Sequence, residues 1–163
     1  MKKSIITSAI LAAAGVLTLG LTANAATTTT ATFAVTANVQ SNCTIAAAPL
    51  AFGNYTGAVN NATSTITATC TNTTPYNVGL NAGTATGATV TNRSMVNGVN
   101  LLNYKITKDA GYATNWGNTI GTDTVTGTGS GAVQTLNVYG QIPAAQFVTP
   151  GAYSDTITAT LTY

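Results

Sequence analysis

The stretch Thr156-Ile157-Thr158-Ala159-Thr160-Leu161-Thr162-Tyr163 alternates without a break between apolar residues and threonine. Successive side chains of a β-strand point to opposite faces, so Ile157, Ala159, Leu161 and Tyr163 share one face and the threonines the other. Working outward, Ser64 to Cys70, Tyr76 to Leu80, Leu101 to Thr107 and Ala132 to Ile142 read as further strands, each bounded by Gly, Asn or Pro clusters. Asn97-Gly98, Asp109-Ala110-Gly111 and Pro150-Gly151 read as tight turns. The Gly- and Thr-rich run from Gly121 to Gly131 reads as a loop or a hairpin tip. No segment keeps a helical period. Short strands at regular spacing, with no helices between them, predict an all-β antiparallel sandwich of immunoglobulin-like type in a single domain.

The N-terminus has a different character. Met1-Lys2-Lys3 is basic, residues 5–21 are mostly apolar, and Ala23-Asn24-Ala25 has the small-residue pattern of a cleavage site. Residues 1–25 therefore read as a secretory signal. A membrane-spanning helix fits less well, because Thr7, Ser8 and Gly15 interrupt the run. Lys2 and Lys3 account for the whole formal charge of +2, so residues 26–163 balance Arg93, Lys105 and Lys108 against Asp109, Asp123 and Asp155. No basic patch remains for nucleic acid or anionic lipid. Charged residues are only 5% of the chain, and so little self-repulsion favours association.

Cys43 and Cys70 are the two cysteines, and an even number in an exported chain usually pairs. Their bridge would close a loop of about 28 residues and stabilise the fold by roughly 3.5 kcal/mol in the chain-entropy model. The alternative is a pair of reduced, buried thiols.

Residues 26–41 precede the body of strands. A threonine-rich lead gives way to an alternation that places Phe33, Val35, Ala37 and Val39 on one face and Thr32, Ala34, Thr36 and Asn38 on the other. Periodicity fits two readings equally: the sandwich's own first strand, or a strand destined for another copy.

Catalytic chemistry finds no purchase here. The chain has no histidine, all three acidic residues are aspartates far apart in sequence, and two paired cysteines offer neither a nucleophile nor a zinc site. We therefore expect no enzyme, no metal and no cofactor. Asp109 and Asp123 could meet as a carboxylate pair, but aspartate beside a turn is the simpler role. The Asn-x-Ser/Thr triplets follow from a chain rich in both residue types. Trp116 reads as a core residue, with a carbohydrate-stacking role as the competing idea.

The landmarks also carry a resemblance. Cys43, Leu50-Ala51-Phe52-Gly53-Asn54-Tyr55, Ile66-Thr67-Ala68-Thr69-Cys70, Arg93-Ser94-Met95, Leu102-Asn103-Tyr104 and Trp116-Gly117 form its first part. Val138-Tyr139-Gly140-Gln141-Ile142-Pro143, then Gly151-Ala152-Tyr153-Ser154-Asp155-Thr156 and Leu161-Thr162-Tyr163 complete it. Together they resemble the spore coat protein U family, which includes subunits of archaic chaperone-usher pili. Thr107 and Gln141 depart from that family, where an aromatic and a basic residue are common.

The resemblance implies a sandwich lacking its last strand, with an apolar groove along Ile157, Ala159, Leu161 and Tyr163. A periplasmic chaperone would fill the groove first. At an outer-membrane usher, the extension of another pilin subunit, here Phe33, Val35, Ala37 and Val39, would replace it by donor-strand complementation. Burying those four side chains would contribute very roughly 5–8 kcal/mol. On this reading residues 1–25 are the signal, 26–41 the donor extension and 42–163 the pilin domain. The expected role is a stalk subunit of a surface pilus supporting adhesion and biofilm formation. A tip adhesin would carry a further receptor-binding domain and need no donor segment. Tyr163 closes the sequence where a last strand would follow, which gives the extension a place in the next subunit. A self-contained coat or matrix protein, with residues 32–39 folded into its own sandwich, is the alternative.

Overall fold

The computed structural model describes residues 25–163, so the signal expected over residues 1–25 lies, apart from Ala25, outside the described residues. The chain divides at Ala37 and Asn38 into two units. In the first, the described residues 25–37 form neither strand nor helix and are exposed. The second, from Asn38 to Tyr163, holds eight strands: β1 (Cys43–Ala47), β2 (Asn60–Cys70), β3 (Pro75–Leu80), β4 (Arg93–Asn97), β5 (Asn100–Thr107), β6 (Val125–Thr128), β7 (Val133–Ile142) and β8 (Ala159–Thr162).

Two antiparallel sheets result, one in the order β1-β2-β7-β5-β4 and one in the order β6-β3-β8. Alternation along each strand decides which residues meet between them. Ile66, Ala68 and Cys70 of β2, Leu102, Tyr104 and Ile106 of β5, and Val138 and Ile142 of β7 supply the core side of the larger sheet. Tyr76, Val78 and Leu80 of β3 face them from the smaller one. Trp116, fully buried, joins this core and donates its indole N–H to the carbonyl of Val78 at 2.9 Å. A buried indole cannot stack on a sugar, so Trp116 takes no part in the carbohydrate-binding alternative.

The disulfide expected between Cys43 and Cys70 is present, and the two residues are register partners in the β1–β2 ladder. The Asp109 turn is also as expected: its carboxylate accepts from the backbone N–H groups of Ala113 and Thr114, which hold its pKa below the ordinary aspartate range.

Three expectations need correction. Residues 121–131 are not merely a loop, because β6 pairs there with β3, Gly127 opposite Tyr76. Composition concealed it: a Cβ on Gly127 would fall inside the Tyr76 ring, so a glycine in this strand answers a packing need and does not mark a turn. The strands β1 and β4 are also additional, each five residues long. Finally, residues 32–39 form no strand in the single chain, and the sandwich's first strand is β1.

Arg93, at the start of β4, is fully buried with no carboxylate bonded to it. Its guanidinium donates to four backbone carbonyls: Asn81 at 2.9 Å, Val90 at 2.7 Å, Leu80 at 3.1 Å and Trp116 at 2.8 Å. Burial lowers its pKa, partly offset by Tyr104, Asp155 and Asp123, yet a guanidinium remains charged. It thus ties β4 to the end of β3 and to the Trp116 segment.

Candidate functional site: an open cleft between two free edges

The two sheets are joined on one side and open on the other. On the joined side, β4 exchanges backbone hydrogen bonds with Ser154, Val96 N to Ser154 O at 2.8 Å and Ser154 N to Val96 O at 3.1 Å. The chain then crosses to the smaller sheet, where Ala159 is the partner of Leu80. On the open side, among the described residues, β1 is hydrogen-bonded only to β2 and β8 only to β3. Both present unpaired N–H and C=O groups along their other edge, a state that invites a further strand.

Beside these edges, which approach each other along part of their length, lies a cleft of about 410 Å³. Leu50 and Phe52, two residues apart and so on one side of the backbone, line it with Ile66, Tyr104, Ile157 and Ala159. The Phe52 ring meets Tyr104 edge-on at 6.0 Å between centroids. The row expected along the edge strand is thus partly assembled. Ile157 and Ala159 line the cleft and Leu161 packs against the core, all three half-buried, while Tyr163 is 58% exposed and outside the lining. In a complete antiparallel sheet the inward face is fully packed and only the outer face is solvated; here the inward face is itself only half-buried, which leaves apolar surface open to the cleft. The donor residues expected at the other end are exposed: Phe33 at 87%, Val35 and Val39 at 84%, and Ala37 also.

The cleft has one ionisable tether. Asp155 accepts from the Tyr104 hydroxyl at 2.7 Å, from the N–H and hydroxyl of Thr84, each at 2.8 Å, and from the N–H of Thr156 at 2.7 Å. Gly83 lets the carboxylate in, since a Cβ there would overlap it and the residue has φ +90°. Burial acts to raise the Asp155 pKa, but the hydrogen bonds from Thr84, Tyr104 and Thr156 outweigh it and hold the group below the ordinary range. Burial, with the bond to Asp155, raises the pKa of the Tyr104 hydroxyl. This network anchors the crossing segment against the loop before β4.

A group whose folded pKa is depressed contributes stability above its unfolded pKa, about 3.9 for aspartate, and loses it as pH falls through the folded value. Asp155→Asn is therefore expected to cost about 1–2 kcal/mol at pH 7, through weakened hydrogen bonds. In urea unfolding across pH, the gap from the parent chain should begin to narrow below about pH 4 and vanish only below the depressed folded value. A gap independent of pH would exclude the carboxylate as its cause.

No three His, Cys, Asp or Glu side chains among the described residues are grouped so as to hold a metal ion. The cleft lining offers apolar surface and its flanking strands backbone hydrogen-bonding groups, which is what an extended polypeptide recognises.

That arrangement, an immunoglobulin-like sandwich left incomplete along one side, is the pilin type of fold. The Spore Coat Protein U domain matches residues 29–160, and the chain belongs to that family. A similar fold occurs in the crystal structure of the CsuC–CsuE chaperone-tip adhesion subunit pre-assembly complex from archaic chaperone-usher Csu pili of Acinetobacter baumannii. The TM-score is 0.55 and the identity 24%, over 77% of this chain and 40% of that one, so this chain spans less than half of its length. No curated protein matches significantly.

Leu50, Phe52, Tyr104 and Asp155 were not singled out as site residues from the sequence. The period-two spacing of Leu50 and Phe52 was a usable signal, whereas the Tyr104–Asp155 contact joins residues 51 positions apart and left none.

Proposed function

We propose that this protein is a stalk subunit of a bacterial surface pilus and polymerises by donor-strand complementation in the chaperone-usher pathway. Residues 1–25 direct export and residues 26–41 form the donor extension. Residues 42–163 form the acceptor domain, with Ile157, Ala159, Leu161 and Tyr163 along its groove edge. A periplasmic chaperone fills the groove first, an outer-membrane usher catalyses the exchange, and Phe33, Val35, Ala37 and Val39 of another subunit then occupy it. The filament reaches the cell surface and supports adhesion and biofilm formation, and the chain itself carries out no catalysis.

The observation that carries this reading is the apolar cleft flanked by two strands, β1 and β8, that each have one neighbour. An alternating apolar segment left exposed in the same chain is the matching half. Each copy gives one strand and accepts one, so the contact is heterologous and propagates into a filament. Phe33→Asp or Val35→Asp would bury an unpaired charge only in the polymer. Either is expected to abolish filament assembly and leave the amount of chaperone–subunit complex unchanged when both are quantified from the same periplasmic extract. Equal loss of the chaperone complex would instead make residues 32–39 part of the subunit's own fold.

A further inference from the structure

The extension poses a problem of competition, which rests on the donor-strand reading above. Only residues 40–42 separate Val39 from Cys43, where β1 begins, and β1 borders the open cleft. Three-residue loops are common β-hairpin connections, so residues 33–39 have enough chain to turn back along the free edge of β1 and fill their own cleft. A strand tethered this closely has an effective concentration in the millimolar range, well above that of other subunits, unless geometry prevents the turn.

The residues beside the disulfide supply that geometry. Beyond Cys43–Cys70, the β1–β2 register continues: Thr71 N–H donates to the Asn42 carbonyl at 2.9 Å, and Asn42 N–H donates to the Thr71 hydroxyl oxygen at 3.1 Å. The Thr74 hydroxyl, 5% exposed, donates to the Ser41 hydroxyl oxygen at 3.4 Å. The Thr71 hydroxyl is then the donor in its 2.7 Å contact with Thr74. The 71–74 turn is itself fixed, with Thr73 N–H on the Gly129 carbonyl at 2.8 Å and Gly129 N–H on the Thr74 carbonyl at 2.7 Å. None of residues 40–42 has the positive φ that a three-residue hairpin loop needs.

We propose that Thr71 and Thr74 form a latch that holds Ser41 and Asn42 in line with β2. The latch keeps the extension from folding back into its own cleft and reserves it for a second copy of this chain. These are positioning residues. Neither lines the cleft.

The test uses the chain comprising residues 26–163, purified in complex with its chaperone and diluted, with an excess of a fluorescent synthetic peptide of residues 26–41 to exchange for the chaperone strand. The parent chain should take up the peptide. The T71V/T74V variant should take up about tenfold less, because loss of the hydroxyl bonds frees the extension to compete. Removing residues 26–39 from that variant should restore uptake. Uptake by T71V/T74V equal to the parent's overturns the latch. Low uptake that persists after the truncation also overturns it, because the threonines then serve the cleft itself. Low uptake by the parent, restored by truncation, shows the extension already folded back and overturns the latch while leaving donor-strand pairing intact. No uptake by any of these chains overturns the donor-strand reading on which the latch depends.

Discussion

A chain lacking residues 26–40 is expected to be secreted, to fold around a chaperone strand and to form no filament. The truncation leaves every core residue of the sandwich in place, since β1 begins at Cys43 and the core draws on Ile66, Tyr76, Val78, Leu80, Tyr104 and their neighbours. It removes Phe33, Val35, Ala37 and Val39, whose burial in another subunit would, on the proposed reading, contribute very roughly 5–8 kcal/mol, with main-chain hydrogen bonds in addition. At 1.4 kcal/mol per tenfold change, subunit association weakens by a factor on the order of 10⁴ or more. The truncated chain still has an open cleft, so mixed with the parent it should cap filaments and shorten them. Electron microscopy of surface filaments, beside co-purification with the chaperone, reads both effects. Filaments of normal length and number from the truncated chain alone would refute the donor assignment.

The second large effect is expected inside the domain. Arg93→Met should lower the free energy of unfolding by about 3–5 kcal/mol, because buried acceptors left without a donor cost about 1–3 kcal/mol each and some will find other partners. The substitution keeps most of the aliphatic volume, but the carbonyls of Leu80, Asn81, Val90 and Trp116 lose a common charged donor where water cannot replace it. Arg93→Lys should recover only part of the loss, because an ammonium has three donors and lacks the planar fork that spans four carbonyls. Equilibrium urea unfolding of the three chains gives the comparison. A loss under about 1 kcal/mol for Arg93→Met would mean that the carbonyls find other partners and that the guanidinium is not their anchor.

How far the sequence announced these features depended on where each signal was written. The face formed by Ile157, Ala159 and Leu161 was legible from its period of two, although the strand is shorter than the run Thr156 to Tyr163 implied: only Ala159–Thr162 pairs, and Ile157 and Tyr163 lie outside it. The strand β6 was hidden, because the reason for Gly127 is the ring of Tyr76, 51 positions earlier. Arg93 was illegible for a related cause: its partners are backbone carbonyls, present at every residue, so no residue type marks them. β1, read as Cys-Thr-Ile-Ala-Ala, is too short and too weakly alternating to stand out, yet its last residue, Ala47, begins the lining of the cleft. Residues 32–39 were legible as strand-forming and ambiguous in destination, since a period of two records which side chains share a face and nothing about the chain that pairs with them.

That destination is what a structure of the assembled filament at side-chain resolution would read directly. The account predicts that the strand lying between β1 and β8 of each subunit is residues 33–39 of another copy, with Phe33, Val35, Ala37 and Val39 facing Ile157 and Ala159. Finding the cleft filled by the subunit's own residues 33–39, or finding those residues outside every cleft, would contradict it.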